Sequence, residues 1–227
     1  MTPDLADLYT DEFYGHHVAG STRSAGHFLR HLFTYFKPAS MVDFGAGVGA
    51  WLATARKLGV ADLLAVDGDW ARSPKKVDPA VPYFHTDLET PIRLERRFDL
   101  AMSVEVAEHL QESRAAGFIE DLTLASDIVL FGAAMKDQGG VNHINEQDQY
   151  YWINLFADLQ YEYVDFFRAP FWRNTEVEPW YIQNTFLFVS SGHPALETIP
   201  SFPLVEVHHP RLLLTPAQLV KYGIKVG

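Results

Sequence analysis

Short apolar runs alternate with amphipathic stretches along most of this chain. The amphipathic stretches predict helices at Leu5–Phe13, Ala25–Phe36, Trp51–Leu58, Ser113–Leu124 and Gln149–Leu159. The apolar runs predict strands at Met41–Phe44, Asp62–Val66, Tyr83–His85, Leu100–Val104, Asp127–Phe131, Glu162–Phe167 and Thr185–Ser190. Strands that alternate with helices form a mostly parallel, doubly wound α/β sheet. The last two strands have no long helix between them, so they can pair antiparallel.

The first predicted strand runs into a glycine-rich turn, Asp43–Gly49. Glycine at alternate positions lets the backbone bend sharply and lets a ligand approach the main-chain N–H groups. This turn therefore predicts a nucleotide-like cofactor. Gly45, Gly47 and Ala50 also satisfy the dinucleotide pattern GxGxxG/A, so the turn by itself leaves a dehydrogenase open.

The elements around this turn resemble those of class I S-adenosylmethionine (SAM) dependent methyltransferases. The matching segments, in the family's order, are Asp43–Gly49, Leu63–Asp67, Phe84–Leu88 and Phe98–Glu105. The resemblance implies a Rossmann-like, seven-stranded sheet of order 3-2-1-4-5-7-6, with the last strand antiparallel and helices on both faces. It also implies SAM as cofactor, with Asp43 holding its amino acid end, Asp67 its ribose hydroxyls and Asp87 its adenine amino group. The cofactor-binding residues we expect are Asp43, Gly45, Ala46, Gly47, Asp67, Gly68, Asp87, Leu88 and Glu105.

The segment after the fourth predicted strand, EVAEH, carries a cluster of possible metal ligands. If the segment turns helically, spacings of three and four put Glu105, Glu108 and His109 on one face. Two carboxylates and an imidazole suit a divalent ion, Mg²⁺ or another. EVAEH resembles the metal-binding ExxEH element of RNA 2′-O-methyltransferases of the small-RNA 3′-end type and of ubiquinone-pathway O-methyltransferases. The same string occurs in family members without a known metal, where these residues cap a helix and shape the pocket, so both roles stay open.

A second polar loop, Gly132–Asp148, contains GGVNHINEQ and reads as a lid over the site. Similar segments occur in methyltransferases associated with glycan and natural-product pathways. A neutral hydroxyl is a poor nucleophile, so methylation of an alcohol needs a group that takes or weakens its proton. His143 is a candidate general base or a fourth metal ligand, and the alternative is a histidine that only hydrogen-bonds the lid. The predicted catalytic residues are His143, Glu108 and His109, and the predicted metal ligands are Glu105, Glu108, His109 and His143.

Three further regions give weaker expectations. Phe171, Trp172, Trp180 and Tyr181 lie between the last two strands, where they would form a rim for a sugar ring or, with stronger support, part of the core. Polar residues in Tyr9–Ser24 predict that this segment folds over the mouth of the site, with His16 and His17 in solvent. Gln183 and Asn184, just before the last strand, could orient polar groups of the acceptor. A helix is expected from Thr215 to Gly223, and the apolar Leu212–Leu214 need cover from this domain or from a second subunit, which would make a homodimer.

Composition limits the remaining possibilities. The chain has 227 residues, 48% of them hydrophobic, which suits one domain over 1–227: a helical cap (1–36), a catalytic core (37–191) and a C-terminal extension (192–227). Without cysteine there is no disulfide or thiolate site, and with neither a signal peptide nor a membrane span we expect a cytoplasmic protein. The net charge of −11 disfavours nucleic acid as a partner.

Together these observations predict a SAM-dependent methyltransferase that acts on a hydroxyl of a saccharide or similar polyhydroxylated small molecule. Its acceptor would be a small molecule or glycan, with no membrane partner. The alternatives are an RNA 2′-O-methyltransferase and a SAM-binding or partner-binding subunit without chemistry of its own.

Overall fold

The computed structural model describes residues 11–72, 75–202, 208–209 and 212, with the backbone alone for residues 11–17. The described part contains a seven-stranded sheet. The strands are β1 (Ser40–Phe44), β2 (Asp62–Asp67), β3 (Tyr83–His85), β4 (Leu100–Val104), β5 (Ile128–Gly132), β6 (Tyr161–Val164) and β7 (Thr185–Ser190). The α-helices are α1 (Asp11–Leu32), α2 (Ala50–Lys57), α3 (Ala115–Ala125), α4 (Gln149–Asp158), α5 (Arg168–Phe171), α6 (Pro179–Asn184) and α7 (Ala195–Thr198). Short 3₁₀ turns lie at Asp69–Arg72, Ala107–His109 and Glu112–Arg114.

The strand order is β3-β2-β1-β4-β5-β7-β6, as the sequence predicts. β1 to β5 are parallel to one another, and β7 runs antiparallel to both β5 and β6. The chain order reverses between β1 and β4, because β2 and β3 extend the sheet on one side and β5 on the other. Ligands of such sheets bind beyond the carboxyl ends of the strands at this reversal.

Helices cover both faces of the sheet, and alternate strand residues supply the two cores. On one face, Met41 of β1 packs with Phe28 of α1 and Leu52 of α2. On the other face, Phe44 of β1 packs with Phe118 of α3. Every residue of β1 and of β5 is buried, which explains why these strands read as continuous apolar runs rather than as alternating ones.

The chain outside the sheet differs from expectation in two places. α1 is one continuous helix from Asp11, whereas the sequence predicts no helix between Phe13 and Ala25; that Tyr9–Ser24 folds over the mouth of the site stays a prediction. Ser24 faces the interior, where its hydroxyl accepts a hydrogen bond from the backbone N–H of Glu178 at 3.0 Å. The predicted helix at Leu5–Phe13 begins outside the described residues, and so do the predicted helix after Thr215 and the residues Leu213 and Leu214.

β6 ends at Val164, three residues before the predicted boundary. Asp165 leaves the ladder with β7 and forms an isolated antiparallel bridge with Phe202. Its carboxylate accepts two hydrogen bonds from the guanidinium of Arg168, at 2.8 and 2.5 Å, with both side chains buried. The chain then enters α5, which begins at Arg168. No helix among the described residues is both long and apolar enough to cross a membrane.

Candidate active site

The glycine turn after β1 is fixed by three residues in the left-handed region. Gly45, Gly47 and Gly49 have φ of +84°, +57° and +81°. A Cβ on Gly45 would lie 2.4 Å from Cγ2 of Val106, and a Cβ on Gly49 would lie 2.7 Å from the hydroxyl of Tyr83. A Cβ on Gly47 would meet nothing within 4 Å. The turn is therefore closely packed on two sides and open at Gly47, where a ligand can reach the backbone.

Two buried acids, Asp43 in β1 and Asp67 at the end of β2, lie beside this turn. The N–H of Gly47 donates to Oδ2 of Asp67 at 2.6 Å, and the N–H of Gly68 donates to Oδ1 at 2.7 Å. Each carboxylate oxygen can accept a second hydrogen bond, so Asp67 keeps capacity for two ligand hydroxyls. Burial, and then the charge of Asp67, raise the pKa of Asp43 well above its ordinary value. Such a pair favours a ligand that carries positive charge.

The third predicted cofactor acid, Asp87, follows β3 at the same edge of the sheet. It is exposed, and its Oδ1 accepts a hydrogen bond from the backbone N–H of Glu89 at 3.0 Å. The N–H of Thr86 donates to the carbonyl of Asp67 at 2.9 Å, which ties this loop to β2. Leu88, half-buried, packs against the core. Asp87 thus lies at the carboxyl edge of the sheet, as predicted. Its side chain accepts a hydrogen bond there from a residue two positions along the chain.

Glu105 follows β4 directly and has a left-handed backbone with φ of +56°, which is rare for a residue with a side chain. Its carboxylate accepts hydrogen bonds from the amides of Asn184, at 2.9 Å, and Gln138, at 3.4 Å. Burial raises the pKa of Glu105 to about 7, although the two amides lower it and the charge of Glu146 adds to the increase.

The sequence predicts that Glu105, Glu108 and His109 share one face if the segment from Glu105 to His109 is helical. The segment does not form such a helix. Only Ala107–His109 turns, as a single 3₁₀ turn. The left-handed residue at 105 sends its side chain to the amides instead. Among the described residues, Glu105 is not one of the side chains whose donor atoms converge to form a candidate metal site. This geometry does not support its expected role as a metal ligand.

The amides that hold Glu105 form a buried network. Nε2 of Gln183 donates to Oε1 of Gln138 and to Oδ1 of Asn184, both at 3.0 Å. Oε1 of Gln183 accepts the N–H of His209 at 2.6 Å. The network fixes the orientation of the Glu105 carboxylate. Sequence reasoning missed Gln138, which carries no local signal, since it meets Glu105 from 33 positions away along the chain.

Glu108, His109 and His143 converge, with one ligand atom from each lying within 4.8 Å of the others. Glu108 is fully buried, and neither of its carboxylate oxygens accepts a hydrogen bond of ordinary geometry. Burial first, and then the charge of Glu105, raise the pKa of Glu108 well above its ordinary value. The backbone N–H groups of Glu108 and Ala134 act against this rise. A buried carboxylate with so few partners is costly, and an ion would satisfy it.

The two imidazoles of this cluster meet edge to face, with ring centroids 4.9 Å apart. Burial, and then the charge of His143, lower the pKa of His109, so this ring favours its neutral, ligand-forming state. Two imidazoles and one carboxylate are a set that fits a divalent transition ion better than Mg²⁺, which prefers oxygen. The donor set therefore fits a metal, with three described residues to hold it.

The loop 133–148 lies docked over the 3₁₀ turn that carries Glu108. The N–H groups of Ile144 and Asn145 both donate to the carbonyl of Glu108, at 2.9 and 3.0 Å. Nδ1 of His109 lies 3.2 Å from the carbonyl oxygen of Asn142. These contacts bring His143 into the cluster, as the sequence predicts for a loop beyond a parallel strand.

The aromatic residues between β6 and β7 mostly enter the core. Phe171 and Tyr181 are buried, while Trp172 and Trp180 are partly buried against the same core. The hydroxyl of Tyr181 lies 2.9 Å from Oγ of Ser21, which joins this region to α1. The rim of stacked aromatics is therefore not formed by Phe171 and Tyr181, and the core alternative holds for them.

His16 and His17 belong to the early turns of α1, and the side chain of His16 lies outside the described residues. His17 likewise has its side chain outside the described part, so the expectation that both are solvated stays a prediction.

Comparisons with known proteins add to this geometry. The model of a family described as a methyltransferase domain matches residues 14–162. No curated protein sequence gives a significant match. Among solved structures, the chain is similar to DesVI of Streptomyces venezuelae, with 14% identity and a TM-score of 0.57 over 84% of this chain and 100% of that one.

The chain is also similar to SAM-bound CalS10, an amino pentose methyltransferase from Micromonospora echinaspora involved in calicheamicin biosynthesis. Identity is 11% and the TM-score 0.58, over 84% of this chain and 100% of that one. A third match is human N-acetylserotonin methyltransferase in complex with SAM, with 14% identity and a TM-score of 0.49 over 71% of this chain. This chain spans about half, 51%, of the human protein. At these identities the similarity concerns the fold.

Proposed function

Because this chain belongs to the class I SAM-dependent methyltransferases, we propose that it transfers a methyl group to a hydroxyl oxygen of a saccharide or a similar polyhydroxylated small molecule. The observation that carries this proposal is the convergence of Glu108, His109 and His143 at the carboxyl edge of the sheet. A hydroxyl acceptor needs a group that removes or weakens its proton, and this cluster offers either a base or an ion for that purpose.

The glycine turn and its acids fit SAM. The open space at Gly47 admits the nucleoside to the backbone, and Asp67 keeps hydrogen-bond capacity for the ribose hydroxyls. The buried Asp43 suits the ammonium group of the cofactor's amino acid end. When bound, SAM supplies a methyl carbon on a sulfonium; the acceptor oxygen bonds to this carbon while the carbon–sulfur bond breaks, and its electron pair stays on the sulfur.

His143 takes the hydroxyl proton in this proposal. With Nδ1 2.8 Å from Oε1 of Glu146, the nitrogen left to accept a proton is Nε2. If a divalent ion is bound, Glu108, His109 and His143 would hold it, and the ion would acidify the hydroxyl of the acceptor. Glu105, held by its amides, lies beside this cluster and orients polar groups at the pocket wall.

Two observations support a small acceptor. The net charge of −11 repels a phosphate backbone. The acids Glu105, Glu108 and Glu146 also lie near one another, since the charge of Glu146 raises the pKa of both Glu105 and Glu108, and the charge of Glu105 raises that of Glu108. CalS10, to which the fold is similar, is a methyltransferase of an amino pentose. A sugar or related polyol offers uncharged hydroxyls to such an acidic pocket.

The test is methyl transfer from radiolabelled SAM to a panel of mono- and oligosaccharides and nucleotide sugars, with the position of the new methyl group read by NMR. In His143→Ala we expect turnover to fall about 100-fold or more, while affinity for S-adenosylhomocysteine stays within about twofold. His193→Ala is the matched control, because His193 lies beyond β7 beside Asp127, at the other end of β5. Unchanged turnover in His143→Ala would remove this residue from the mechanism.

A chelator separates the two roles of His143. Loss of activity in EDTA that added Mn²⁺ or Zn²⁺ restores would support the ion, and full activity in EDTA would leave His143 as a base.

The ExxEH segment favours one other acceptor, the 2′-hydroxyl of RNA. A single-stranded RNA oligonucleotide in the same assay decides this, together with its binding at increasing salt, since phosphate contacts weaken steeply with salt. Transfer to RNA without transfer to any saccharide would replace the proposal. SAM binding without transfer to any of these acceptors would favour a non-catalytic subunit.

A further inference from the structure

We propose that Glu146 is a positioning residue that fixes the tautomer and orientation of the His143 imidazole, an inference that rests on the proposed function. Glu146 contributes neither to the candidate metal group nor to the amide network. Oε1 of its carboxylate lies 2.8 Å from Nδ1 of His143, and the side chains of the pair are only 12% (His143) and 17% (Glu146) exposed. A pair this far from solvent is not an ordinary surface ion pair.

The backbone around this pair is held on both sides. Ile144 and Asn145 donate their N–H groups to the carbonyl of Glu108, so the chain between His143 and Glu146 is anchored to the 3₁₀ turn. Beyond Glu146, the amide of Gln147 donates to Oδ1 of Asn145 at 2.9 Å. The carboxylate therefore reaches His143 from a fixed loop.

Packing limits the ring on its other side. A Cβ on Gly140 would lie 2.3 Å from both Cε1 and Nε2 of His143, so the imidazole rests directly on the Gly140 backbone. The His109 ring meets it edge to face. These contacts place the ring, but they do not choose which nitrogen carries the hydrogen. Glu146 is the described group that hydrogen-bonds a ring nitrogen of His143.

The consequence for chemistry follows from the two nitrogens of histidine. A neutral imidazole carries one N–H, and a carboxylate beside Nδ1 accepts it, which leaves the lone pair on Nε2. Nε2 can then take the proton of the acceptor hydroxyl or bind an ion. Without the carboxylate, the hydrogen can move to Nε2 and block both roles. Carboxylates behind a histidine ligand typically contribute about 10-fold to 100-fold in metal affinity or activity.

The experiment reads the tautomer directly by ¹⁵N NMR of histidine-labelled, S-adenosylhomocysteine-bound protein in EDTA, at a pH above the ordinary pKa of histidine. The spectrum of His143→Gln assigns the His143 signals. We expect hydrogen on Nδ1 in the wild type and a shift of hydrogen toward Nε2 in Glu146→Ala. Asp148→Ala is the matched control. Asp148 is an exposed acid two positions after Glu146, and its side chain makes no capping hydrogen bond to α4. That variant should keep the wild-type tautomer.

Two results would overturn the proposal: hydrogen on Nε2 of His143 in the wild type, or the same spectrum in Glu146→Ala as in the wild type. Both are independent of the acceptor. If no saccharide is methylated but the tautomer responds as expected, the proposed function fails while the positioning role stands. Once an acceptor is in hand, kcat should fall about 10-fold or more in Glu146→Ala with the KM for SAM within about twofold. Folding of the variant is confirmed by an unchanged affinity for S-adenosylhomocysteine.

Discussion

The glycine turn gives a sharp test, because Gly45 and Gly47 both have a positive φ but have different surroundings. Gly45→Ala would place a Cβ 2.4 Å from Cγ2 and 2.7 Å from Cγ1 of Val106. Gly47→Ala would place a Cβ in open space. Both substitutions force alanine into the left-handed region, so strain is common to the pair. Only the first adds a collision, and only the second fills the space where the cofactor enters.

The magnitudes follow from these two effects. Left-handed backbone costs about 1–2 kcal/mol for a residue with a Cβ, and overpacking of a tight contact typically costs about 1–3 kcal/mol. Gly45→Ala should therefore destabilise the cofactor-free protein by roughly 2–5 kcal/mol, and Gly47→Ala by roughly 1–2 kcal/mol. At about 2–4 °C per kcal/mol for a chain of this size, the two melting temperatures should be clearly separated.

Urea unfolding of the cofactor-free protein measures the difference in stability between the two variants. Calorimetric titration with S-adenosylhomocysteine measures the difference in cofactor affinity. We expect Gly47→Ala to lose affinity by about 10-fold or more, equivalent to about 1.4 kcal/mol. Val106→Ala in the Gly45→Ala background removes both colliding methyl groups and should recover part of the lost stability. The reasoning is refuted if the two alanine variants have equal stability, or if Gly47→Ala binds S-adenosylhomocysteine as the wild type does.

Two further predictions concern neighbours of the turn. The pKa of Glu105 is raised from 4.5 to about 7, so the ionised form of Glu105 destabilises the folded protein. Relative to Glu105→Gln, the wild type should therefore lose stability as pH rises from about 4.5 to about 7, and its stability should change little above pH 7. Urea unfolding across this range checks it, and a pH-independent difference would contradict it. Tyr83→Phe removes the hydroxyl that donates to the Gly47 carbonyl at 3.1 Å, and should cost about 1 kcal/mol in unfolding and weaken S-adenosylhomocysteine binding. Tyr35 is 45% exposed, so Tyr35→Phe should do neither. Equal effects of Tyr83→Phe and Tyr35→Phe would count against the hydrogen bond to Gly47.

Local patterns predict the sheet well, as β3, β4 and β7 show, whose bounds coincide with the apolar runs Tyr83–His85, Leu100–Val104 and Thr185–Ser190. The strand order came from the family resemblance, carried by motifs in the right sequence, and the structure confirms it. The end of β6 was misplaced, because Asp165 leaves the ladder with β7 and bridges Phe202, which lies 37 positions further along the chain. α1 extends through polar residues because the residues that cover it, such as Glu178, come from the far end of the chain.

The sequence by itself determines what depends on near neighbours along the chain: the apolar strands, the left-handed glycines of the turn, and the acids Asp43 and Asp67 beside it. Only the tertiary structure decides which side chains of the polar loops beyond the strands contact one another. Glu105 turns to amides from distant loops, while Glu108 and His109 meet His143, and Glu146 stands behind that histidine. The physical reason is range, since backbone preference and hydrophobic period act over a few residues. The partners of a buried carboxylate depend on which loops the sheet order brings to the same edge.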